Sequence, residues 1–304
     1  MGSSSWSSDS YANLKTSYTT KSTAAIFTSK TLDNDMSPKG IKFRESRDSD
    51  AHPETLAIAV FLDETGSMGE IPETLVRHKL GSLMETLISH GIAHPAVLFG
   101  GIGDHISDKS PLQVGQFESG TDELNKWLTK IYLEGNGGGQ EMESYLLAWI
   151  MAARHTSIDC FEKRQQKGFL FTIGDERSWE EVDAEYLKSI FGYTQAEDIS
   201  IKSILEEVKR TYHVFHIHAN ETGYKDSPSV IGAWKDLLGE RLLIVDDHDA
   251  IAEVIASTVA VVNGIDLKDI TKTFDKKTAN IVTNALVHVS KTELAKAKSG
   301  VVNL

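Results

Sequence analysis

The fold is decided by the stretch Leu56-Ala57-Ile58-Ala59-Val60-Phe61-Leu62-Asp63-Glu64-Thr65-Gly66-Ser67-Met68. Its first seven residues are apolar without alternation, which predicts a strand buried on both faces of a parallel sheet. Asp63, Thr65 and Ser67 then place a carboxylate and two hydroxyls at alternate positions, and an amphipathic helix follows almost at once. Oxygen ligands at the carboxyl end of a central strand, beside a helix N-terminus, suit either a hard cation or a phosphate.

Strand and helix patterns alternate about six times between residues 55 and 262. Apolar runs predict five further strands: Pro95–Ile102, a short one from Leu112 to Phe117, Gly168–Ile173, Tyr212–Ala219 and Arg241–Val245. The order predicts an α/β fold, with a doubly wound, mostly parallel six-stranded sheet and helices on both faces. The short strand from Leu112 is expected to form an antiparallel edge.

Three segments lie outside or interrupt this alternation. Residues 1–54 form a polar N-terminal arm, rich in Ser, Thr, Lys and Asp, whose composition is typical of a flexible segment. Its few aromatic residues allow the alternative that the arm docks on a neighbour. Residues 55–264 form the domain, with a helical insertion at 178–210, and residues 265–304 form a C-terminal tail with one weak amphipathic patch.

Composition and charge exclude several function classes. Lys and Arg number 31 against 44 Asp and Glu, giving a net charge of −13, so nucleic acid is not the expected partner. No apolar run approaches the roughly 20 residues of a membrane span, and the first residues do not resemble a secretory signal. Cys160 is the only cysteine, so no disulfide forms within the chain. We expect no membrane partner and a cytoplasmic location, or a virion if the chain is phage-encoded.

Polar residues follow three of the predicted elements at the edge of the sheet where ligands bind. They are Asp63-x-Thr65-x-Ser67, the loop Gly137-Gly138-Gly139-Gln140, and Asp175 after the strand that starts at Gly168. Carboxylate, hydroxyl and amide oxygens suit Mg²⁺, or Ca²⁺ or Mn²⁺, better than zinc or copper. The predicted metal ligands are therefore Asp63, Thr65, Ser67, Gln140 and Asp175. Other acidic residues nearby are expected to form a solvated rim: Glu64, Asp104, Glu141, Glu143 and Glu176.

These motifs resemble the von Willebrand factor A (vWA) domain and its metal ion-dependent adhesion site (MIDAS), over roughly residues 55 to 262. The family has D-x-S-x-S after the first strand, a Thr in a later loop and an Asp after the fourth strand. This chain matches at Asp63, Ser67 and Asp175, and conservatively at Thr65. It departs from the family at Gln140, which stands where the family has the Thr.

The resemblance implies a protein-binding module rather than an enzyme. In such domains the metal keeps an open coordination position, which a carboxylate of a partner protein fills. The chain is most similar to intracellular bacterial and bacteriophage members, which implies two settings. One is an adaptor to an AAA+ ATPase. The other is macromolecular assembly, as a homo-oligomer or a structural virion component whose arms tie copies together.

Two enzyme classes are the alternatives. Asp63-Glu64-Thr65-Gly66-Ser67 looks like the D-x-T-G-T of the ion pumps in the haloacid dehalogenase class, in which Asp63 would be the nucleophile of a phosphotransferase. Ordinary members of that class carry an aspartate as general acid where Thr65 stands, and a threonine hydroxyl does not serve as that acid. A zinc enzyme would use His213, His216 and His218, but these lie within a predicted strand and are expected to be buried strand histidines.

Overall fold

Strands and helices alternate along the chain. The computed structural model describes residues 4–64, 68, 70–134, 142–194 and 196–299, with side chains as far as residue 289. The strands within these residues are β1 Arg44–Ser46, β2 Leu56–Asp63, β3 Pro95–Ile102, β4 Leu112–Val114, β5 Met142–Glu143, β6 Thr156–Ile158, β7 Gly168–Gly174, β8 Arg177–Ser178, β9 Glu181–Val182, β10 Ile199–Ser200, β11 Tyr212–Ala219 and β12 Leu242–Val245.

The α-helices of the described residues surround this strand framework. They are α1 Ser8–Tyr18, α2 Thr23–Ile26, α3 Glu70–Thr74, α4 Leu80–Ser89, α5 Thr121–Thr129, α6 Tyr145–Arg154, α7 Asp159–Arg164, α8 Ala184–Phe191, α9 Ile201–Val208, α10 Pro228–Leu238, α11 Ile251–Val262, α12 Leu267–Thr271 and α13 Lys276–Ser299. A π-helical turn, Leu75–Lys79, joins α3 to α4. Of the helices described, none combines the length and the apolar character that crossing a membrane requires.

Six strands form the central sheet, in the order β12-β11-β7-β2-β3-β4. All neighbours are parallel except β4, which runs antiparallel to β3 at one edge. Numbered by their place in the chain, the strands read 3-2-1-4-5-6 across the sheet, and the order reverses between β2 and β7. This is a doubly wound arrangement, in which ligands bind at the reversal point. The predicted fold class and the antiparallel edge are confirmed.

The central strand β2 is covered on both sides. Successive side chains of a strand point to opposite faces, and all eight residues of β2 are buried. The unbroken apolar run that begins at Leu56 therefore reflects helices packed on both faces of the sheet, as expected for a parallel arrangement.

The N-terminal segment packs against its own domain. Five of its apolar residues are buried in the core: Tyr11, Tyr18, Ile26, Phe27 and Met36. The Tyr18 hydroxyl donates to Asn125 Oδ1 at 2.6 Å, and the Arg44 guanidinium donates to the Val114 carbonyl of β4 at 3.0 Å. The interpretation of this segment as flexible is therefore wrong for residues 4–54. Although the aromatic residues are widely spaced, they fill sites in the core of the same chain.

This packing also changes the start of α5. Thr121 has a side chain that is typical of an N-cap, but the N-cap of α5 is Gly120. The Thr121 hydroxyl instead accepts a hydrogen bond from the Ser7 amide at 2.8 Å. The Thr121 hydroxyl thus binds the N-terminal segment and does not cap the helix.

The C-terminal tail and the insertion are both folded. In α13, Val282, Leu286 and Val289 are buried in the core, and the helix packs on α11 and β12. The insertion contains α8 and α9, and a strand of the short antiparallel pair β9–β10 precedes each helix. The division of the chain at residues 54 and 264 stays a prediction.

We predict that Phe27→Ala lowers the free energy of unfolding by about 3–5 kcal/mol, because it removes a buried ring and leaves a cavity. Phe27 is 4% exposed, whereas Phe43 in the same segment is 46% exposed. Phe43→Ala is therefore the control and should change stability by less than about 0.5 kcal/mol. Chemical denaturation measures both, and equal effects would contradict the packing of the N-terminal segment.

Candidate metal centre

The two predicted aspartates lie where the strand order reverses. Leu62 of β2 pairs with Ile173 of β7, so Asp63 lies beside Gly174 and Asp175 follows directly. Both aspartate side chains are fully buried, at 0% exposure. The carboxyl ends of the two central strands thus bring two carboxylates to the edge at which doubly wound proteins bind ligands.

The remaining predicted ligands lie outside the described residues. These are Thr65, Ser67 and Gln140, together with the glycines of the loop at 137–139. Their assignment as ligands stays a prediction.

Tyr145, the first residue of α6, contacts Asp63. The Tyr145 hydroxyl donates to Asp63 Oδ2 at 2.9 Å. Burial, and then the charges of Asp63 and Glu143, raise the pKa of Tyr145 well above its usual value, so the hydroxyl keeps its proton. A Cβ at Gly174 would overlap this hydroxyl. Gly174 is therefore needed for the ring of Tyr145 to reach Asp63.

Two glutamates expected at a solvated rim are buried instead. Glu64 is 1% exposed and Glu143 is 2% exposed. The Gln113 side-chain amide donates to Glu64 Oε2, while Glu64 Oε1 and Glu143 Oε2 have no hydrogen-bond partner in the described residues. The reason for the burial is tertiary, because Glu64 lies against Gly101 and Gln113 of β3 and β4.

Burial and neighbouring charge disfavour the ionised form of both glutamates. Burial, followed by the charges of Asp63 and Glu176, raises the pKa of Glu143 to about 11. Burial also raises the pKa of Glu64 well above its usual value, despite the hydrogen bond from Gln113. Neither Glu64 nor Glu143 is paired with a lysine or arginine in the described part of the chain. The edge therefore gathers carboxyl groups whose ionised forms are unfavourable without a cation, and a bound cation would favour them.

The insertion contacts this edge through Trp179. Its indole Nε1 donates to Asp104 Oδ1 at 2.8 Å, and Asp104 lies in the turn after β3. His105 is in the same turn, and its Nδ1 lies 2.7 Å from Oγ of Ser144, the residue just before α6. Asp104, expected at the solvated rim, is 1% exposed and is held by these contacts.

Among the described residues, the strand histidines belong to no cluster of metal-ligand atoms. His216 and His218 are fully buried, which confirms the prediction for these two. The ring of His216 stacks on that of Trp234 with a centroid distance of 3.6 Å. Its Nδ1 lies 2.9 Å from Thr172 Oγ1. Burial, and then the neighbouring His218, lower the pKa of His216 well below its usual value, so the ring is neutral.

The donor set at the strand ends fits a hard cation. Its side chains offer oxygen, and two buried carboxylates retain an oxygen without a partner in the described residues. In that same part of the chain, no three carboxylate or imidazole ligand atoms around Asp63 and Asp175 lie within 4.8 Å of one another. Two such groups occur at other places: Glu221–Asp247–His248 beyond the ends of β11 and β12, and Glu181–Asp183–Asp198 in the insertion. A cation here therefore needs further oxygens, which the predicted hydroxyl and amide ligands would supply.

No protein-family profile matches the chain, and no curated protein matches it in sequence. Among solved structures, the open conformation of the pilus adhesin SpaC from Lactobacillus rhamnosus GG matches 78% of this chain, at 14% identity and a TM-score of 0.45. Proximal thread matrix protein 1 from the mussel byssus matches 68%, at 9% identity and a TM-score of 0.42. The SpRpn10 VWA domain matches 62%, at 12% identity and a TM-score of 0.35.

The matched proteins differ in how much of their length this chain spans. It spans 31% of the SpaC adhesin, 48% of the matrix protein and 86% of the SpRpn10 domain. At these identities and TM-scores the likeness carries no statement about function. The strand order of the sheet defines the class as a doubly wound, Rossmann-like α/β domain.

We predict that Gly174→Ala lowers the free energy of unfolding by about 1–3 kcal/mol, because the added methyl group displaces Tyr145 from Asp63. Gly232→Ala is the control. Gly232 lies within α10 with open space around its Cα, so alanine should raise stability by about 0.5–1 kcal/mol. Denaturant titration measures both changes, and a neutral Gly174→Ala would contradict the described position of Tyr145.

We predict that Glu143→Gln stabilises the chelator-treated protein at pH 8 by at least about 1.4 kcal/mol, the equivalent of one pKa unit. Folding raises the pKa of Glu143 from 4.5 to about 11, so its unfavourable contribution appears above the unfolded value and is absent below it. The stabilisation should therefore disappear at pH 4. Melting temperatures at the two pH values test this, and a gain at pH 4 equal to that at pH 8 would contradict it.

Proposed function

We propose that the chain is a metal-dependent protein-binding module and not an enzyme. In this proposal Asp63, Thr65, Ser67, Gln140 and Asp175 bind Mg²⁺, or Ca²⁺ or Mn²⁺, as in a vWA domain with a MIDAS. The observation that carries the proposal is the pair of fully buried aspartates at the reversal point of the sheet. When bound, the cation supplies an electrophilic position for a carboxylate of a partner protein.

The residues around the site support this use. Asp63 and Asp175 supply the charge that holds a divalent ion, and Tyr145 fixes the orientation of Asp63 through Oδ2. Buried surroundings strengthen each of these electrostatic interactions relative to water. With only two aspartates among its ligands, the bound ion would still attract the carboxylate of a partner protein.

The packing of the chain bears on the biological setting. The described parts of the N-terminal segment and of the tail pack most of their apolar residues on their own domain. Anchors used within the chain are not available to tie copies together, which favours an adaptor, for instance to an AAA+ ATPase, over a structural virion component. Copurification with an ATPase would support the adaptor role, whereas a repeating contact between copies would support the assembly role.

The surroundings of Asp63 also weigh against a phosphotransferase. Only residues 64–69 separate β2 from α3, so no cap domain is inserted there. Asp63 is fully buried and accepts a hydrogen bond from Tyr145. A nucleophilic carboxylate must instead be able to contact its substrate. If the purified protein hydrolysed a generic phosphate ester, and Asp63→Asn abolished this activity, the binding proposal would be replaced.

We predict that Mg²⁺, Mn²⁺ or Ca²⁺ raises the melting temperature relative to protein in a chelator. A ligand that binds only the folded state at 100 times its dissociation constant stabilises it by about 2.7 kcal/mol. Asp63→Asn should remove this shift, since it removes a ligand charge but keeps an oxygen that accepts the hydrogen bond from Tyr145. Differential scanning calorimetry measures each case.

Asp246→Asn is the matched control for this measurement. Asp246 follows β12 at the same edge of the sheet but is exposed and accepts a hydrogen bond from Asn220 at 2.8 Å. Its substitution should leave the metal-dependent shift unchanged. A melting curve that is the same with and without chelator, or a shift that survives Asp63→Asn, would overturn the proposed metal site.

A further inference from the structure

A cavity of about 470 Å³ lies beside the candidate metal centre but is separate from it. It is bounded by β8, the start of α9 and the end of α10. Arg177, Ser178 and Lys202 bring polar groups to it, while Ile201, Trp234 and Leu237 form apolar walls. Its volume falls in the range of small-molecule sites, which combine apolar walls with a few polar groups.

Arg177 is an arginine without a counter-ion in the described part of the chain. Its Nε is shielded from solvent and has no hydrogen-bond partner there, and the same is true of the neighbouring Ser178 Oγ. By contrast, other arginines pair with carboxylates: Arg47, Arg77, Arg154 and Arg164. A shielded guanidinium edge and hydroxyl that the protein itself leaves without partners indicate a ligand that accepts hydrogen bonds.

The other charges around the cavity do not compensate Arg177. Lys202 adds a second positive charge at the exposed rim. Two carboxylates, Glu180 and Asp236, also line the cavity, but neither forms an ion pair with Arg177 or Lys202 among the described residues. Arg177 Nε and Ser178 Oγ are therefore the shielded donors that the described part of the chain leaves without a partner, and Lys202 adds an exposed one.

The apolar wall is fixed in place. Trp234 stacks on His216 at 3.6 Å, and its Nε1 donates to the Glu176 carbonyl at 2.8 Å. It is 1% exposed, and its contacts hold the indole without any ligand. An apolar group that enters the cavity thus meets a preformed surface next to the guanidinium of Arg177.

We propose that this cavity binds a small molecule that carries a carboxylate on an apolar body. The carboxylate accepts hydrogen bonds from the Arg177 guanidinium, whose planar donors match its two oxygens. Ser178 Oγ donates a further bond, and the apolar body lies against Trp234, Ile201 and Leu237. This site does not depend on the proposed metal centre.

The test uses isothermal titration of the chelator-treated protein with hexanoate and 4-phenylbutyrate. Their neutral counterparts, 1-hexanol and 4-phenyl-1-butanol, have the same apolar bodies. At least one acid should bind about tenfold more tightly than its alcohol, since a hydrogen bond to a charged group contributes at least this factor. Absence of binding by both acids, or equal binding of acid and alcohol, would overturn the proposal.

Arg177→Gln should weaken binding of the acid about tenfold or more and leave that of the alcohol unchanged. Arg210→Gln removes the same charge from an exposed arginine just after α9, outside the cavity, and should have no effect. Melting temperatures establish that both variants are folded, and Arg177→Lys serves as a second variant that keeps the charge but loses the planar pair of donors. Unchanged affinity in Arg177→Gln would overturn the proposal.

The chelator separates this site from the proposed metal centre. Binding of the acid that appears only when Mg²⁺ is added, and that Asp63→Asn removes, would place the carboxylate at the metal and overturn the cavity proposal. Conversely, binding in chelator that depends on Arg177 would support the cavity even if the metal had no effect on melting.

Discussion

Tyr145 and Asp63 share a hydrogen bond in a place that water does not reach, and the arrangement of the candidate site depends on it. The carboxylate comes from the end of β2 and the hydroxyl from the first turn of α6, so the bond fixes the helix relative to the central strand. It forms because Gly174 has no side chain to block the ring. His216 and Trp234 hold the same ring by edge contacts at 5.0 and 5.3 Å. The position of the hydroxyl is thus set by packing as well as by hydrogen bonding.

Around this bond, carboxylates from several segments are gathered in a way that folding alone does not favour. Asp63 and Glu64 come from the end of β2, Glu143 from β5 and Asp175 from the end of β7. Burial and mutual repulsion raise the pKa of both glutamates. Such groups destabilise a protein unless something compensates them, and they cluster where a protein binds or transforms a ligand. The large apolar core on both faces of the sheet provides the stability that tolerates them.

The fold could be predicted from the sequence because its signals are local. The unbroken apolar run from Leu56 predicts a strand covered on both faces, and the predicted strands Pro95–Ile102 and Tyr212–Ala219 match the observed ones. The Asp residues of the site could also be found, since each follows such a run. What could not be predicted depends on contacts between distant segments. Glu64 is buried because Gln113 reaches it, and neither residue carries a local sign of this.

The same reason explains the errors outside the site. The N-terminal segment has few apolar residues, and this composition predicts flexibility. Composition does not show where each apolar residue packs. Tyr18, Phe27 and Met36 are few, but each is buried in the core of the domain. Likewise, Thr121 has the side chain of a helix cap, yet its hydroxyl accepts a hydrogen bond from the amide of Ser7, 114 residues earlier in the chain.

The N-terminal segment has one more consequence, through Arg44. Its guanidinium donates to the Val114 carbonyl of β4, the outermost strand on that side of the sheet. An exposed edge strand offers its backbone to strands of other molecules and is a common route to aggregation. Here β4 has only three residues, and the chain's own arginine occupies one of its carbonyls. Copies of this protein are thereby discouraged from joining sheet to sheet along that edge.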